Sequence, residues 1–293
     1  MKNTEGQIPI EKNLEIRQLV EELRLIDDTF FEKVMEDRET CEEVIRVIME
    51  DPELSVKEVN PQEPIHNLQG RSVRLDALCK KNDGNYINIE IQRADNDNHF
   101  KRVRYNASCI TANITDSGER FKNVKDVCVI YISEFDMFKR GKTIYHIRHV
   151  VQETENEENP VYIDDGFTSV YVNTAVDDNT EIAELMGCFL QTKINNPKFP
   201  KLSNRVTQFK ETEEGVMEMC ATVEKYAEKY AKKYADKREA ERIVRTVNSL
   251  IKKHNFSFQD ACQAAHITMK GYEKYRQIAM FDSVQQKPKR VKK

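Results

Sequence analysis

The chain has 293 residues, of which 39% are apolar and 33% are charged, and it contains no tryptophan. No apolar run approaches the roughly 18–20 residues that span a bilayer, and residues 1–13 lack the apolar segment of a signal peptide. The seven cysteines are scattered without a CxxC pair, which is typical of reduced thiols and argues against structural zinc. Composition therefore predicts a soluble, cytoplasmic protein with no membrane partner and with room for one large domain or two small ones.

The formal net charge of −4 conceals an asymmetry between the two ends of the chain. Residues 1–60 contain 8 Lys and Arg against 17 Asp and Glu, a balance of −9, whereas residues 225–293 contain 18 against 7, a balance of +11. A nucleic-acid-binding protein needs positive charge only on the face that meets phosphates. The basic C-terminal third fits either such a face or an ordinary solvated helical surface.

The first elements in chain order are two helices and a strand. Apolar residues recur with helical spacing in residues 13–25 and 27–50, and Pro52 closes the second helix. Residues 55–60 then read as a first strand.

A hairpin of two strands follows and is the most informative stretch of the chain: the first strand has alternating apolar residues from Val73 to Cys79, and the second comprises residues 86–92. Period-two alternation sends three isoleucines of the second strand to one face and Glu90 to the other, and it leaves Asp76 on the polar face of the first strand. A two-residue turn would bury Asp76 against isoleucines at a cost of several kcal/mol, whereas a three-residue turn, 82–84, sets Asp76 opposite Glu90. We therefore predict the three-residue turn, with its glycine in the left-handed conformation.

The opposed carboxylates of Asp76 and Glu90 indicate a cation site. Directly opposed residues on one sheet face are about 4.5–5.5 Å apart at Cβ, and two carboxylates that close repel each other unless a cation lies between them. Mg²⁺ commonly uses one or two carboxylates together with water and substrate phosphate. The pair therefore predicts a site for a hard divalent ion.

A basic helix is predicted just after the hairpin, at residues 99–115, capped by Asp97 or Asn98. Its first turns contain Lys101, Arg102 and Arg104, and arginine matches phosphate oxygens with a planar fork of donors. These cations fit contacts with DNA phosphates. They equally fit a buried ion pair between one arginine and a hairpin carboxylate.

The middle of the chain predicts further strands and one helix. Residues 127–132 are apolar without alternation, which is typical of a central strand covered on both faces. Residues 143–151 and 167–173 also read as strands, and residues 178–192 as a helix. Together with the hairpin, this order predicts a mixed sheet with helices around it.

The last third of the chain predicts helices, and we place domain boundaries at residues 200, 254 and 280. Residues 201–254 read as one long helix interrupted only by Gly215, residues 255–280 as two short helices that resemble a helix-turn-helix, and residues 281–293 as a disordered basic tail. A stripe at helical spacing indicates a dimer seam across residues 216–234, although it also fits a protein core. The stripe consists of Val216, Met219, Val223, Tyr226, Tyr230 and Tyr234.

Asp76 and the triplet Glu90-Ile91-Gln92 after an apolar strand resemble the PD-(D/E)xK nuclease motif. The form is most similar to that of the recombination-promoting nuclease / PD-(D/E)xK nuclease family transposases, in which glutamine is often third. Residues 164–174 and 210–220 are also similar to that family, and the resemblance covers most of residues 25–245. It implies an α/β fold, in which a restriction-endonuclease-like core with a mixed central sheet flanked by helices occupies residues 1–200 and is followed by a C-terminal α-helical extension.

The resemblance also implies an activity, namely metal-dependent DNA endonuclease chemistry associated with recombination or transposition. Asp76, Glu90 and the backbone carbonyl of Ile91 would hold Mg²⁺, or Mn²⁺ in its place, so that the scissile phosphate is polarised and a water molecule becomes a better nucleophile. An additional acid on the helix before the hairpin is common in such nucleases, and Glu43 is our candidate.

Gln92 stands where the wider superfamily has a catalytic lysine, and glutamine offers hydrogen bonds without charge. We expect Lys101, Arg102 or Arg104 to supply the missing positive charge. The alternative is a DNA-binding or assembly protein that keeps the nuclease fold without turnover.

Overall fold

The computed structural model describes residues 10–65, 72–95, 98–151 and 160–280. The chain divides into two compact units, residues 1–221 and residues 222–293. The tail predicted for residues 281–293 lies outside the described residues, and the three predicted domain boundaries remain predictions. No helix in the described part of the chain is both long and apolar enough to cross a membrane.

The first unit contains both helices and strands. Its helices are α1 Ile10–Glu22, α2 Asp28–Met35, α3 Arg38–Met49, α4 His99–Ile114, α5 Glu181–Phe189 and α6 Pro200–Glu211, and it includes the start of α7, Glu213–His254. Its strands are β1 Val56–Pro61, β2 Pro64–Ile65, β3 Val73–Arg74, β4 Ala77–Lys81, β5 Tyr86–Gln92, β6 Val127–Ser133, β7 Ile144–Ile147, β8 His149–Val151, β9 Val161–Ile163 and β10 Phe167–Asn173.

A mixed six-stranded sheet with the order β1-β4-β5-β6-β10-β7 forms the centre of the first unit. Strands β5, β6 and β10 run parallel to one another, and β4 and β7 flank them in the antiparallel sense. Every residue of β6 is buried, as expected for a parallel strand covered on both faces. The predicted α/β fold class, a mixed sheet flanked by helices with a C-terminal helical extension, is confirmed.

The hairpin register is the one predicted from the polarity of its faces. Ala77 pairs with Ile89, and the Lys81 N–H donates to the Asn85 carbonyl at 2.8 Å, so the turn contains three residues. Gly84 has φ +89°, the left-handed conformation that favours glycine. Continuing this register beyond β4 places Asp76 opposite Glu90.

Helix α4 covers the face of the sheet that carries Glu90. Val103 and Ile110 of α4 pack in one core cluster with Leu78 of β4 and Tyr131 of β6. The Asn98 side chain caps this helix by accepting from the Lys101 N–H at 3.0 Å, whereas the alternative cap, Asp97, lies outside the described residues. Helix α4 therefore has the predicted position and cap.

Helix α3 covers the opposite face of the sheet. Its Cys41 Sγ lies 3.4 Å from Cys79 Sγ of β4, and both side chains are completely buried as free thiols. All seven cysteines of the chain are free, as their scattered spacing predicted.

Two elements predicted as continuous in the N-terminal half are interrupted. The helix predicted at 27–50 ends at Met35 and restarts as α3, because the Asp37 carboxylate accepts from the Thr40 N–H at 2.8 Å and caps a new helix. The first strand predicted for the hairpin is broken at Leu75, whose N–H donates to the Glu63 carbonyl at 3.0 Å.

Two later elements are also interrupted. The strand predicted at 143–151 divides into β7 of the main sheet and β8 of a separate ribbon with β9. The long helix predicted at 201–254 breaks at Thr212, where the backbone is extended with ψ 142°. Gly215 lies in the first turn of α7, where a Cβ would stand 2.1 Å from the Gln208 carbonyl oxygen, so glycine allows α7 to follow α6 closely.

The second unit is helical. The remainder of α7 is followed by α8, Phe258–Ala264, and α9, Met269–Met280. A small core joins the three helices and contains Val247, Ala261, Cys262 and Tyr272. The structure thus has the two short helices of the predicted pair, and their use in DNA recognition remains a prediction.

Candidate active site

Asp76 and Glu90 meet at the end of the hairpin that is remote from its turn. They occupy a pair position of the antiparallel ladder without direct backbone bonds, where side chains approach most closely. Asp76 Oδ2 accepts from the Ile91 N–H, on the strand of Glu90, at 2.9 Å. The hairpin therefore brings the two predicted acids together, as the register required.

A gap in strand pairing beside Ile91 exposes its backbone to the two acids. Ile91 would pair with Leu75 if β4 continued, but the Leu75 N–H is already bonded to Glu63. The N–H and C=O of one strand residue face the same side, and the Ile91 N–H faces Asp76. The Ile91 carbonyl consequently faces the same gap, and its role as a metal ligand remains a prediction.

Glu90 is a buried carboxylate with one unsatisfied oxygen. Its side chain is completely buried, Oε1 accepts from Asn88 Nδ2 at 2.9 Å, and Oε2 has no hydrogen-bond partner. The nearest charged partner of Oε2 is Arg102 Nη2, at 3.5 Å. Burial raises the pKa of Glu90 to about 8, with a further rise from the charge of Asp76, and Arg102 only partly offsets these effects.

Asp28, the first residue of α2, is a third acid that the sequence analysis missed. Burial raises its pKa to about 7, and the charge of Asp76 is the next largest cause. Burial also raises the pKa of Asp76 itself, against the bond from Ile91. Three carboxylates whose burial and mutual repulsion disfavour ionisation therefore share this region. In the sequence, Asp28 was marked only as one of two acidic residues at the start of a predicted helix.

Glu43, the predicted accessory acid, is not brought to this group. Its two carboxylate oxygens accept from the Lys201 N–H at 3.2 Å and the Leu202 N–H at 2.8 Å, in the first turn of α6. A carboxylate at a helix N-terminus satisfies free N–H groups and the positive end of the helix dipole. Asp28, rather than Glu43, is the helical acid near Asp76.

Gln92 and Arg102 form a pair beside Glu90. Gln92 Oε1 accepts from Arg102 Nη1 at 2.9 Å, while its Nε2 donates to the Ala94 carbonyl at 2.7 Å. Both ends of the glutamine amide are thus used inside the protein, and they hold the guanidinium against Glu90. Of the three predicted phosphate-binding cations, Arg102 is partly buried with the acids, whereas Lys101 and Arg104 are exposed.

A second arginine, Arg93, fixes the start of α2 relative to the end of β5. It forms ion pairs with Asp27 and with Glu134, the latter at 3.3 Å, and Arg24 approaches Glu134 at 3.4 Å. Because Asp27 immediately precedes Asp28, this network positions the third acid. Its members lie far apart in the sequence, which explains why the motif analysis did not find them.

A series of hydrogen-bonded polar side chains, buried at Tyr131 and His99 and exposed at Asp95, begins beside Glu90 on the same face of the sheet. Tyr131 pairs with Glu90 across β5 and β6, its hydroxyl lies 2.7 Å from His99 Nδ1, and His99 Nε2 lies 3.2 Å from Asp95 Oδ1. Burial raises the pKa of the Tyr131 hydroxyl, so this group stays protonated. The series anchors the start of α4, the helix that carries Arg102.

The acids have the chemistry of a divalent-cation site. Within the described ranges, no group of three Asp, Glu, His or Cys side chains is assembled closely enough to hold a metal ion. The unsatisfied, buried Glu90 Oε2 and the raised pKa values of Glu90 and Asp28 nevertheless fit a cation, which would satisfy the oxygen and favour ionisation. An all-oxygen donor set suits Mg²⁺ or Mn²⁺.

Comparison with known proteins identifies one family. The model of the PD-(D/E)XK nuclease family transposases matches residues 36–254, well over half of the chain. The matched range contains Asp76, Glu90 and Gln92, and it begins after Asp28. No curated protein and no solved structure matches the chain.

Proposed function

Because the chain belongs to the PD-(D/E)XK nuclease family transposases, we propose that it is a divalent-metal-dependent DNA endonuclease acting in recombination or transposition. Nucleases of this type generally use divalent ions. The observation that carries the proposal is the opposed pair Asp76 and Glu90, with an unsatisfied carboxylate oxygen facing an arginine. A site that only stabilised the fold would be expected to pair that oxygen fully.

The acids and one carbonyl supply the metal ligands in this proposal. Asp76, Glu90 and the Ile91 carbonyl would hold Mg²⁺ or Mn²⁺, and Asp28 would add a further carboxylate. When bound, such an ion supplies Lewis-acid polarisation of the scissile phosphate and makes a water molecule more acidic. The bond from Asn88 to Glu90 Oε1 and the bond from Ile91 to Asp76 hold one oxygen of each acid and leave the other for the ion.

Arg102 takes the part of the motif lysine in this proposal, and Gln92 positions it. A guanidinium is always charged and offers several donors in one plane, so it can bond Gln92 and still face a phosphate oxygen. Preorganised positive charge stabilises the charge that develops on the phosphate during cleavage. Gln92 therefore acts through Arg102 rather than through direct contact with the substrate.

DNA is the proposed partner, and α4 presents two further cations to it. Lys101 and Arg104 are exposed and three residues apart, a spacing that places them on one side of a helix. Contacts of this kind bind the phosphate backbone and fix the position of a duplex without reading its sequence.

We also propose a homodimer through residues 216–234, but with fewer residues in the contact than the sequence suggested. Met219 is completely buried in the single chain, so its side chain is not available to a second copy. Tyr234 is 57% exposed and is the best candidate of the seam, whereas the Tyr230 side chain lies outside the described part of the chain.

The second candidate is a DNA-binding or assembly protein without turnover. Two observations favour it: Arg102 already lies against Glu90, and burial favours the protonated form of that acid at neutral pH. Uptake of Mg²⁺ or Mn²⁺ that depends on Asp76 and Glu90 is expected only for the nuclease.

Plasmid nicking tests the choice between the two candidates. Supercoiled DNA is incubated with the protein in Mg²⁺, Mn²⁺, Ca²⁺ or EDTA, and wild type is compared with Asp76→Asn. We expect nicking with Mg²⁺ or Mn²⁺ that falls at least about 100-fold in the variant, because an acid that holds the ion is lost. Asp116→Asn, the same chemical change at an exposed position, is the matched control and should nick like wild type. Undiminished Mg²⁺-dependent nicking by Asp76→Asn would refute the assignment.

A further inference from the structure

The loop between β6 and β7 carries a concentrated positive charge at the edge of the sheet that holds the acids. Lys139, Arg140 and Lys142 are all exposed within the four residues 139–142, which we call the KRGK loop. The chain enters this region directly beside the active site, because the Glu134 N–H donates to the Gln92 carbonyl at 3.1 Å. Nothing in the motif analysis pointed to these three cations.

A single carboxylate organises the backbone of the KRGK loop. Asp136 accepts from the Lys139 N–H at 3.0 Å, from the Gly141 N–H at 2.8 Å and from the Tyr145 hydroxyl at 2.9 Å. Lys139 and Gly141 both have left-handed backbones, with φ +54° and +68°. Glycine adopts this conformation freely, whereas at Lys139 it costs free energy that the bonds to Asp136 offset. The Asp136 carboxylate is thus bonded to loop N–H groups and fixes the loop conformation, while the three cationic side chains are exposed to solvent.

Aromatic contacts join the KRGK loop to α4. Phe138 immediately precedes the loop, and its ring centroid lies 4.5 Å from that of Tyr145 and 5.5 Å from that of Phe100. Phe100 is in the first turn of α4, next to Lys101. The exposed cations of the loop and those of α4 therefore belong to neighbouring elements at the edge where β5 and β6 end.

We propose that the KRGK loop binds the phosphate backbone of double-stranded DNA and, with Lys101 and Arg104, holds the duplex across the acids. That the bound duplex lies across the acids rests on the proposed nuclease function, whereas DNA binding by the KRGK loop does not. A chain with net charge −4 needs a local positive surface to approach DNA. A loop already fixed in shape loses little conformational entropy when it binds, which favours affinity.

Salt-dependent binding tests this proposal with two variants of equal charge. The first is Lys139→Gln/Arg140→Gln/Lys142→Gln. The control is Arg120→Gln/Lys122→Gln/Lys125→Gln, which removes three exposed cations just before β6, at the other end of that strand. Each variant lowers the net charge by three, so general electrostatic attraction changes equally in both.

Fluorescence anisotropy with a labelled duplex in EDTA, at about 50–200 mM salt, gives affinity and its salt dependence. Each phosphate contact contributes about 0.9 to the slope of log affinity against log salt. The KRGK variant should bind at least about tenfold more weakly at 100 mM salt, with a slope reduced by about 2–3. The control should change the slope by less than about 1. Equal losses in the two variants, or wild-type binding by the KRGK variant, would overturn the proposal, as would absence of duplex binding by wild type.

The nicking assay separates failure of this inference from failure of the nuclease proposal. If wild type binds DNA but does not nick it, and only the KRGK variant loses binding, the nuclease function fails while the loop proposal stands. If wild type nicks DNA and the KRGK variant binds and nicks equally well, the loop proposal fails while the nuclease function stands. Thermal melting of both triple variants is expected to match wild type, because all six side chains are exposed.

Discussion

Replacing Gln92 by lysine would restore the superfamily motif, and it should lower activity rather than raise it. Gln92 Oε1 accepts a hydrogen bond from Arg102 Nη1 at 2.9 Å. A lysine has no acceptor and would place a second cation against the guanidinium. Gln92→Lys therefore removes the bond that holds Arg102 and adds repulsion at the same point.

The expected magnitude follows from those two effects. A hydrogen bond from a charged donor contributes about 1.5–3 kcal/mol. Two like charges about 4 Å apart repel by about 4 kcal/mol at an effective dielectric constant near 20, and a flexible lysine can relieve most of this by turning away. A net loss of about 1.5–3 kcal/mol of transition-state stabilisation corresponds to a decrease in the rate of the cleavage step of about 10- to 100-fold.

Single-turnover nicking with saturating Mg²⁺ measures this effect, and a charge swap provides its control. The double variant Gln92→Lys/Arg102→Gln keeps one cation and one amide at the site in exchanged positions. We expect it to recover part of the activity that Gln92→Lys loses, because the repulsion is gone and an acceptor is restored. Equal or faster nicking by Gln92→Lys would show that Gln92 does not act by holding Arg102.

Four further predictions concern the acids. Asp28→Asn should reduce nicking at least about tenfold while DNA affinity in EDTA stays at the wild-type value, since it removes one carboxylate from the ion site; unchanged nicking would exclude Asp28 from the site. Mg²⁺ affinity should rise as pH increases from 6 to 8.5 with release of protons, measured by calorimetry in buffers of different ionisation enthalpy, because the pKa values of Glu90 and Asp28 are raised to about 8 and about 7. A constant Mg²⁺ affinity over that range would contradict the raised pKa values. The same shifts make the folded, metal-free protein bind more protons than the unfolded chain, so its unfolding free energy in urea titrations without metal should fall as pH rises from about 4 to 8, and a rise over that interval would contradict the reasoning. Glu43→Ala should lower the unfolding free energy by about 1 kcal/mol in urea titrations and leave nicking intact, as expected of a helix cap; lost nicking in a folded Glu43→Ala protein would return Glu43 to the candidates.

The hairpin was predictable because its information is local. Alternation defined the two faces, and the cost of placing Asp76 among isoleucines selected the register that places it opposite Glu90. The glycine needed for a three-residue turn stood at Gly84. Each of these facts lies within one short stretch of sequence.

The remaining parts of the site depend on contacts that sequence patterns do not encode. Apolar periodicity runs on through Asp37, so residues 27–50 looked like one helix, and only the capping contact with Thr40 divides it. That division makes Asp28 the start of a short helix, which the Arg93 ion pairs then fix. The bond between Gln92 and Arg102 depends equally on the path of the chain between β5 and α4.

Strand pairing with β5 ends before Leu75, and this feature suggests how the proposed activity could be abolished. The paired part of the hairpin ends before Leu75, because the Leu75 N–H donates to the carbonyl of Glu63, and these two residues directly adjoin the small ribbon of β2 and β3. One more strand pair, between Leu75 and Ile91, would engage the Ile91 backbone in hydrogen bonds and remove its carbonyl from the proposed ion site. Changes in the β2–β3 ribbon that lengthen this hairpin would therefore abolish ion binding without replacing any of the acids.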